Sequence, residues 1–350
     1  MSDYFPEEVI HEILLRLPVK SLIKCSTGVT KEVQELYSLH NPAIGESTML
    51  IQPSSLVVPD DTPCPRLDVI GTCNGLICIS SQYARKDVTI LWNPCIRKFA
   101  NLSRRRSTTS EIVYEVKFAF GYDARTNDYK VLKFTNFIFG FNLTNKVEVY
   151  SLARGCWRSL SAAVVADLAS TGFMGVRNRV FLNGSLHWFE NGAIWGFESF
   201  IVLFDMFSEE FLKMLVPPAL AKERDPNVGI DISRHGESLA IVKIASSEDD
   251  NAIIHMWVMK EYGVTESWTE LFTIRVEGYP RNFLKPYFFK PFGLRSGEIV
   301  LDVVGRGLLS VNPKSNQVKQ IGLDGVDCYN FVDSFVESLV LLGQANAISY

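Results

Sequence analysis

Hydrophobic positions near the start of the chain repeat with the period of a helix. In residues 5–25, FPEEVIHEILLRLPVKSLIKC, an apolar stripe is formed by Val9, Ile10, Ile13, Leu14 and Leu17. Pro6 suits a first helical turn, and Pro18 ends the helix because its ring clashes with the preceding turn. The pattern predicts an amphipathic helix up to Pro18 and a second helix that begins around Lys20–Leu22. So short a segment cannot enclose a core, and its stripe must pack on the main domain or on another protein.

The rest of the chain consists mainly of short apolar runs separated by turn residues, the pattern of β-strands. A strand, a polar turn and a second strand recur five times. Equivalent positions in the first strand of each copy are Trp92, Tyr150, Phe204, Trp257 and Val311, which lie 58, 54, 53 and 54 residues apart. A turn and a strand precede most copies, as at Asn74-Gly75 and Asn183-Gly184. Each repeat therefore holds about four strands.

A period near 50 residues with about four strands per unit is typical of a propeller blade, because each small sheet buries both faces against its neighbours. We therefore predict a mainly β fold, in which a short helical N-terminal segment precedes a kelch-like β-propeller of about five to six blades. Residues 331–342 supply part of a sixth unit, which an early strand such as Met49-Leu50-Ile51 would complete. A β-sandwich also has regularly spaced strands, but the long and nearly constant period favours the propeller.

Composition indicates an ordinary globular chain, with 47% hydrophobic and 21% charged residues among 350. A net charge of −4 provides no general field for nucleic acid, and the basic run at residues 104–106 is isolated. The start lacks a signal-peptide pattern, and no run approaches the roughly 18 apolar residues that span a bilayer. We expect no nucleic-acid or membrane partner, and a cytoplasmic or nuclear location.

The sequence lacks the patterns on which catalysis or metal binding would rest. Its seven cysteines include no CxxC pair and are expected to be reduced core thiols, and its five histidines are scattered. His187 lies between Leu186 and Trp188, where a structural imidazole is expected. Phosphate-binding, zinc-protease, hydrolase and dinucleotide motifs are absent. We therefore expect no catalytic residue, no metal and no cofactor. A copper- or sugar-binding propeller is a third alternative, behind the two functions weighed below.

The N-terminal stretch up to Cys25 resembles the first half of an F-box, particularly that of the large plant F-box families. In that family the motif binds the Skp-type adaptor of a cullin–RING ubiquitin ligase. The resemblance implies adaptor contacts for Phe5, Pro6, Val9, Ile10, Ile13, Leu14, Leu17, Pro18, Val19 and Leu22. It ends after Cys25, because the third helix of the family, with its Cys-Lys-x-Trp type segment, has no counterpart here. The F-box is therefore interpreted as truncated.

The strand region resembles the F-box-associated domain that follows plant F-boxes. The residues that carry this resemblance are, in family order, GTCNGLIC at 71–78, LWNPCIRK at 91–98, FGYD with TNDYKV at 120–131, VEVYSL at 147–152, WRSL at 157–160 and NG with HW at 183–188. Such domains are taken to recruit substrates. The resemblance implies a domain layout of partial F-box helices at 1–30, a variable linker at 31–66 and the F-box-associated domain at 67–350.

These resemblances imply a substrate-recognition subunit of a Skp–cullin–F-box ubiquitin ligase, which does no covalent chemistry itself. Its partners would be the Skp-type adaptor, the cullin and RING subunits reached through it, and a target protein. Trp195 and Phe197 are candidates for target contact because glycines at 192 and 196 surround them. The alternative is a stand-alone propeller scaffold or decoy that binds a target without assembling a ligase, because its F-box is incomplete.

Overall fold

A computed structural model gives the architecture. It describes residues 20–27, 34–41, 46–50, 67–80, 88–102, 112–139, 142–161, 179–192, 198–223, 225, 228–247, 249, 251–277, 291–293, 299–303, 307–315, 317–320, 329–341 and 347–349. Strands dominate these residues, and the one α-helix among them, α1, covers only Pro218–Ala221. The predicted mainly β fold is confirmed.

The chain divides into two compact units, residues 1–107 with 330–350 and residues 108–329. The first unit holds two sheets. Sheet A has the order β24-β1-β2-β3, with β24 at Tyr329–Phe335, β1 at Lys20–Thr27, β2 at Gln34–Asn41 and β3 at Glu46–Leu50. Sheet B has the order β25-β7-β6-β5-β4, with β25 at Ile348–Ser349, β7 at Lys98–Asn101, β6 at Thr89–Asn93, β5 at Leu76–Ser80 and β4 at Asp68–Cys73.

The second unit holds four sheets, each built from four consecutive strands. Sheet C comprises β8 (Ile112–Asp123), β9 (Asp128–Phe139), β10 (Asn142–Ser151) and β11 (Cys156–Ser159). Sheet D comprises β12 (Val180–Leu182), β13 (Ser185–Glu190), β14 (Phe200–Asp205) and β15 (Phe211–Leu215). Sheet E comprises β16 (Gly229–His235), β17 (Ser238–Ser246), β18 (Ala252–Met259) and β19 (Trp268–Val276). Sheet F comprises β20 (Pro291–Gly293), β21 (Ile299–Val303), β22 (Gly307–Asn312) and β23 (Gln317–Gln320).

The repeat read from the sequence corresponds to the third and fourth strands of a sheet. Its five reference positions, Trp92, Tyr150, Phe204, Trp257 and Val311, lie in the third strands β6, β10, β14, β18 and β22. The C-terminal strand β24 shares sheet A with β3, which contains Met49 and Leu50, so a sixth sheet is completed by an early strand as predicted. Consecutive strands pair antiparallel within each sheet, which is the meander of a propeller blade.

Sheets D and E bury both faces, which explains why their central strands are nearly continuous apolar runs. In β13, Leu186 and Trp188 pack in the core shared with sheet C. Phe189 points the other way, into the core shared with sheet E. Sheet E in turn packs Ile254 and Met256 against sheet F. Alternate residues of one strand thus pack into two different cores. A slip in register by one residue would place each side chain in the opposite core.

In the first unit, the segment after β24 packs across the turns of sheet B. Asn93 follows Trp92 in the WNP motif, and its amide nitrogen donates hydrogen bonds to the carbonyl oxygens of Ser338 at 3.0 Å and Val340 at 2.8 Å. Gly75 lies beneath the same segment with φ of +76°, and a Cβ built on it would lie 2.2 Å from Ser338 Oγ. Two of the sequence motifs are therefore explained by packing.

Two predictions for the N-terminal region are wrong. The second helix expected from Lys20 is strand β1, which pairs with β2 and β24. The linker expected at 31–66 contains strands β2 and β3, so residue 67 does not mark the start of the sheets. The physical reason is that β24, the partner of β1, lies about 300 residues further along the chain, and such non-local pairing leaves no local pattern. The first predicted helix lies outside the described residues.

Candidate interaction surface

Three turns at one end of sheets C and D are fixed by buried or half-buried aspartates. In the β8–β9 turn, Asp123 accepts hydrogen bonds from the Arg125 N–H at 3.0 Å and from the Thr126 hydroxyl at 2.6 Å. Burial opposes ionisation of Asp123, but these bonds and the Lys130 charge outweigh it, so the pKa of the carboxyl is lowered. Asn127 adopts φ of 51°, a conformation that asparagine tolerates well. The Asp-x-x-Thr-Asn motif therefore builds a rigid turn.

The β10–β11 turn is held to the β8–β9 turn by Asp128. Its carboxylate accepts hydrogen bonds from the Ser151 hydroxyl at 2.6 Å and from the Ala153 N–H at 2.8 Å. Ser151 Oγ in turn accepts from the Arg154 N–H at 3.1 Å. The exposed residues Arg125 and Arg154 are thus presented by two adjoining turns.

The β14–β15 turn of sheet D has the same construction. One carboxylate oxygen of Asp205 accepts from the N–H groups of Phe207 at 2.9 Å and Ser208 at 2.7 Å. Glu209 adopts φ of 59° and closes the turn. This geometry leaves Phe207 on the surface with 47% of its area exposed.

A buried lysine joins the turns of the two sheets. Lys130 Nζ lies 3.5 Å from Asp123 Oδ2 and 3.0 Å from Glu209 Oε1, and it donates to the carbonyl oxygen of Met206. Arg158 forms an ion pair with Glu209 from the surface side. Lys130 lies in the Tyr-Lys-Val part of the family motif, and the structure gives it a partner in each sheet.

Phe207 and Arg125 meet across the boundary between sheets C and D. The guanidinium carbon of Arg125 lies 4.5 Å from the centroid of the Phe207 ring, a cation–π contact. Sequence reasoning missed both residues. The available signal was an aromatic residue inside a polar turn, DMFSEE at 205–210, where a strand pattern gives it no role.

The β18–β19 turn of sheet E adds a tyrosine next to sheet D. Tyr262 is 40% exposed, and its hydroxyl lies 2.7 Å from Nε2 of the buried His187. The His187 Nδ1 lies 3.2 Å from the Val180 carbonyl oxygen, so Nδ1 carries the proton and Nε2 accepts from the tyrosine. Burial lowers the pKa of His187 to about 4, and burial also raises the pKa of Tyr262. The imidazole is therefore a neutral structural group, as the sequence indicated.

We call five of the exposed side chains on these turns the turn surface: Arg125, Arg154, Phe207, Glu210 and Tyr262. Rigid aromatic and arginine side chains are the residue types that most often supply binding energy between proteins. The arrangement suits recognition of another protein, since no nucleophile with an adjacent base lies among these side chains.

The site residues predicted from the sequence lie elsewhere. Nine of the ten adaptor-contact residues, Phe5 to Val19, and the target-contact candidates Trp195 and Phe197 fall outside the described residues. Leu22 is described, and it lies in strand β1, where it pairs with Leu39. Its predicted helical setting is therefore wrong, and its contact with an adaptor stays a prediction.

Thiols and carboxylates do not cluster in the part of the chain that the structure describes. No group of three or more His, Cys, Asp or Glu side chains there is placed to hold a metal ion. Burial is described for four of the seven cysteines: Cys73 and Cys78 are buried and match the expectation of core thiols, whereas Cys95 and Cys156 are exposed and do not. None of the described helices is long and apolar enough to cross a membrane.

Comparison with known proteins gives the family. The F-box associated beta propeller domain matches residues 29–341. The F-box/kelch-repeat protein At3g23880 of Arabidopsis thaliana is 28% identical over 77% of this chain and 79% of its own length. The F-box protein CPR1 of the same plant is 25% identical over 99% of this chain and 91% of its own length.

Among solved structures, a putative 6-phosphogluconolactonase from Bacteroides uniformis covers 90% of this chain and 99% of its own, at 9% identity and a TM-score of 0.38. That likeness carries no argument about function. The family match, by contrast, covers most of the chain and agrees with its repeated four-stranded sheets. The chain therefore belongs to the F-box associated beta propeller domain family, whose relatives named above are plant F-box proteins.

Proposed function

We propose that this chain is the substrate-recognition subunit of a Skp–cullin–F-box ubiquitin ligase. In this role the turn surface binds a target protein, and the N-terminal residues Phe5 to Val19 bind the Skp-type adaptor, which links the chain to cullin and RING subunits. The observation that supports target binding is the turn surface, where Phe207 and Tyr262 are exposed on turns fixed by buried or half-buried polar groups. The chain itself does no covalent chemistry. As part of this proposal we place it in the cytoplasm or the nucleus, which imaging of a fluorescent fusion tests.

A second candidate function is supported by strand β1. Lys20–Thr27 is paired on both sides within sheet A, by β2 and β24. These residues are therefore committed to the sheet and do not adopt the helical form that the F-box resemblance implies. The second candidate is a propeller that binds the target without assembling a ligase, acting as a scaffold or decoy.

The deciding experiment measures the affinity of the whole chain for a purified plant Skp-type adaptor by calorimetry. If residues 5–19 suffice for adaptor binding, the chain binds the adaptor. Leu14→Ala or Leu17→Ala should then each reduce the binding free energy by on the order of 2 kcal/mol, because each removes a predicted anchor side chain. Glu12→Gln, on the polar side of the predicted helix, is the control and should bind like the unaltered chain.

A version carrying a grafted complete F-box separates the two candidates. Comparable binding by the chain and the graft supports the ligase subunit. Binding by the graft alone supports the scaffold or decoy. If both leucine variants bind the adaptor as tightly as the unaltered chain, the apolar stripe does not make the adaptor contact assigned to it.

A further inference from the structure

Arg125 of the turn surface lies over the exposed ring of Phe207, and Arg154 is exposed on the adjoining β10–β11 turn. Together these side chains define the kind of segment that this surface can bind. We infer that Arg125, Arg154 and Phe207 receive a segment of the target protein that carries carboxylates next to an apolar side chain. The inference rests on the proposed function, because it names the partner chemistry of the same surface.

Arg125 has hydrogen-bonding capacity that the protein does not use. Its backbone N–H bonds to Asp123, but its guanidinium contacts the Phe207 ring, which offers no conventional acceptor. A ring held over the guanidinium by a cation–π contact takes up none of its N–H donors, and a carboxylate can accept two of them. The Arg125 side chain is therefore oriented by Phe207 while its donors stay available to a ligand.

The charges around this site are distributed so that arginine faces the solvent. Within the three turns of sheets C and D, the aspartates bind turn N–H or hydroxyl groups and Glu209 pairs with Lys130 and Arg158. Arg154 is exposed and has no ion pair with any residue that the structure describes. Glu210 is the one exposed carboxylate in these turns. A ligand thus meets two arginines whose charge is not used internally.

Phe207 adds an apolar element that a purely acidic ligand would not use. Phe207 has 47% of its area exposed, and the Arg125 guanidinium lies over one face of the ring. A leucine-sized side chain could pack beside the ring while a neighbouring carboxylate reaches Arg125. Nucleic acid fits less well, because it needs aromatic faces open for base stacking and a basic groove, whereas the chain has a net charge of −4.

The surface is also held in place before a ligand arrives. Lys130 ties the β8–β9 turn to the β14–β15 turn, and Asp128 ties the β8–β9 turn to the β10–β11 turn. Rigid turns lose little conformational entropy on binding, which favours affinity from a small number of contacts.

The test uses the whole chain and short fluorescent peptides in which glutamates alternate with leucines. Matched peptides replace every glutamate by glutamine or every leucine by alanine. The glutamate–leucine peptide should bind at least about tenfold more tightly than the glutamine version, with an affinity that falls as salt is raised. The double variant Arg125→Gln with Arg154→Gln should bind the glutamate–leucine peptide about tenfold more weakly than the unaltered chain does. Phe207→Ala should reduce the difference in affinity between the peptide with leucines and the peptide with alanines.

Arg275→Gln is the control, because Arg275 is an exposed arginine of β19 that is already paired with Asp249. It should bind the peptides like the unaltered chain. Equal binding of the glutamate and glutamine peptides, or unchanged binding by the double variant with an unchanged unfolding midpoint, would overturn the inference. Tighter binding of a single-stranded oligonucleotide than of the acidic peptide would overturn it in favour of nucleic acid. Neither result affects adaptor binding, so the proposed function is tested separately.

Discussion

His187 is a buried imidazole whose protonation the fold opposes. Its ordinary pKa of 6.5 falls to about 4 in the folded chain, because burial disfavours the charged ring. Between these two values the unfolded chain binds more protons than the folded one, so stability is lost as the pH falls from about 6.5 to about 4. The loss should be on the order of 3 kcal/mol when the window has been crossed.

Replacing this histidine should remove that part of the pH dependence. In His187→Asn the free energy of unfolding should be lower at neutral pH, because the bond with Tyr262 is lost, but it should fall less between pH 6.5 and pH 4. Urea unfolding at several pH values across the window measures the slope. His235→Asn is the control, since His235 is only partly buried at the end of β16. Equal slopes for the two variants would contradict the assignment.

Two Asn-Gly turns provide a matched test of packing at single glycines. Gly75 and Gly184 adopt φ of +76° and +73°, but only Gly75 has neighbours within reach of an added Cβ. Gly184→Ala should cost roughly 1–2 kcal/mol of stability, the strain of a left-handed alanine. Gly75→Ala should cost roughly 1–3 kcal/mol more, because the methyl group meets Ser338 and the Val336 carbonyl. Chemical unfolding of both variants measures these costs. Equal losses of stability would show that the segment 336–341 moves aside for the added methyl group at little cost in free energy.

At the level of secondary-structure elements, Lys130 connects two sheets. It belongs to strand β9 of sheet C, and it bonds to the β14–β15 turn of sheet D. Lys130→Met should destabilise the chain by roughly 3–5 kcal/mol, since Asp123 and Glu209 would be left without their buried partner. It should also weaken binding at the turn surface, which loses its tie between the two turns. Equilibrium unfolding and the peptide assay measure the two effects.

The matched control is Lys146 in β10, which pairs with Glu148 at 3.0 Å but has 45% of its side chain exposed. Lys146→Met should change stability by no more than about 1 kcal/mol, as expected for a surface pair. Similar costs at the two positions would mean that Lys130 does not hold the turns together.

At the level of the whole chain, the C-terminal strand completes a sheet that the N-terminal part begins. Phe335 in β24 is 1% exposed and packs in the core with Trp92 and Phe99 of sheet B. Phe335→Ala should therefore cost roughly 3–5 kcal/mol. Ile348→Ala, in the terminal strand β25 where the side chain is 52% exposed, should cost no more than about 0.5 kcal/mol. Thermal or chemical unfolding compares them, and a small effect at Phe335 would argue against closure by β24.

Much of the fold could be predicted because each repeat is built from neighbouring strands. Trp92, Tyr150, Phe204, Trp257 and Val311 mark equivalent third strands, and the turns before them follow from Asn-Gly and Asp-x-x-Thr signals. Strand β1 could not be predicted in this way, because its partner β24 comes from the far end of the chain. The local pattern around Lys20 favours a helix as readily as a strand.

The sequence by itself determined the repeat, the number of strands in each unit and the membership of the F-box associated family, because periodic apolar runs and turn residues act over short distances. Only the tertiary structure decided which side chains become a surface. Phe207 and Arg125 lie 82 positions apart and meet because Lys130 fastens two turns of neighbouring sheets. Tertiary structure also committed Lys20–Thr27 to a sheet, since backbone hydrogen bonds to two partner strands outweigh a short stretch of helical pattern.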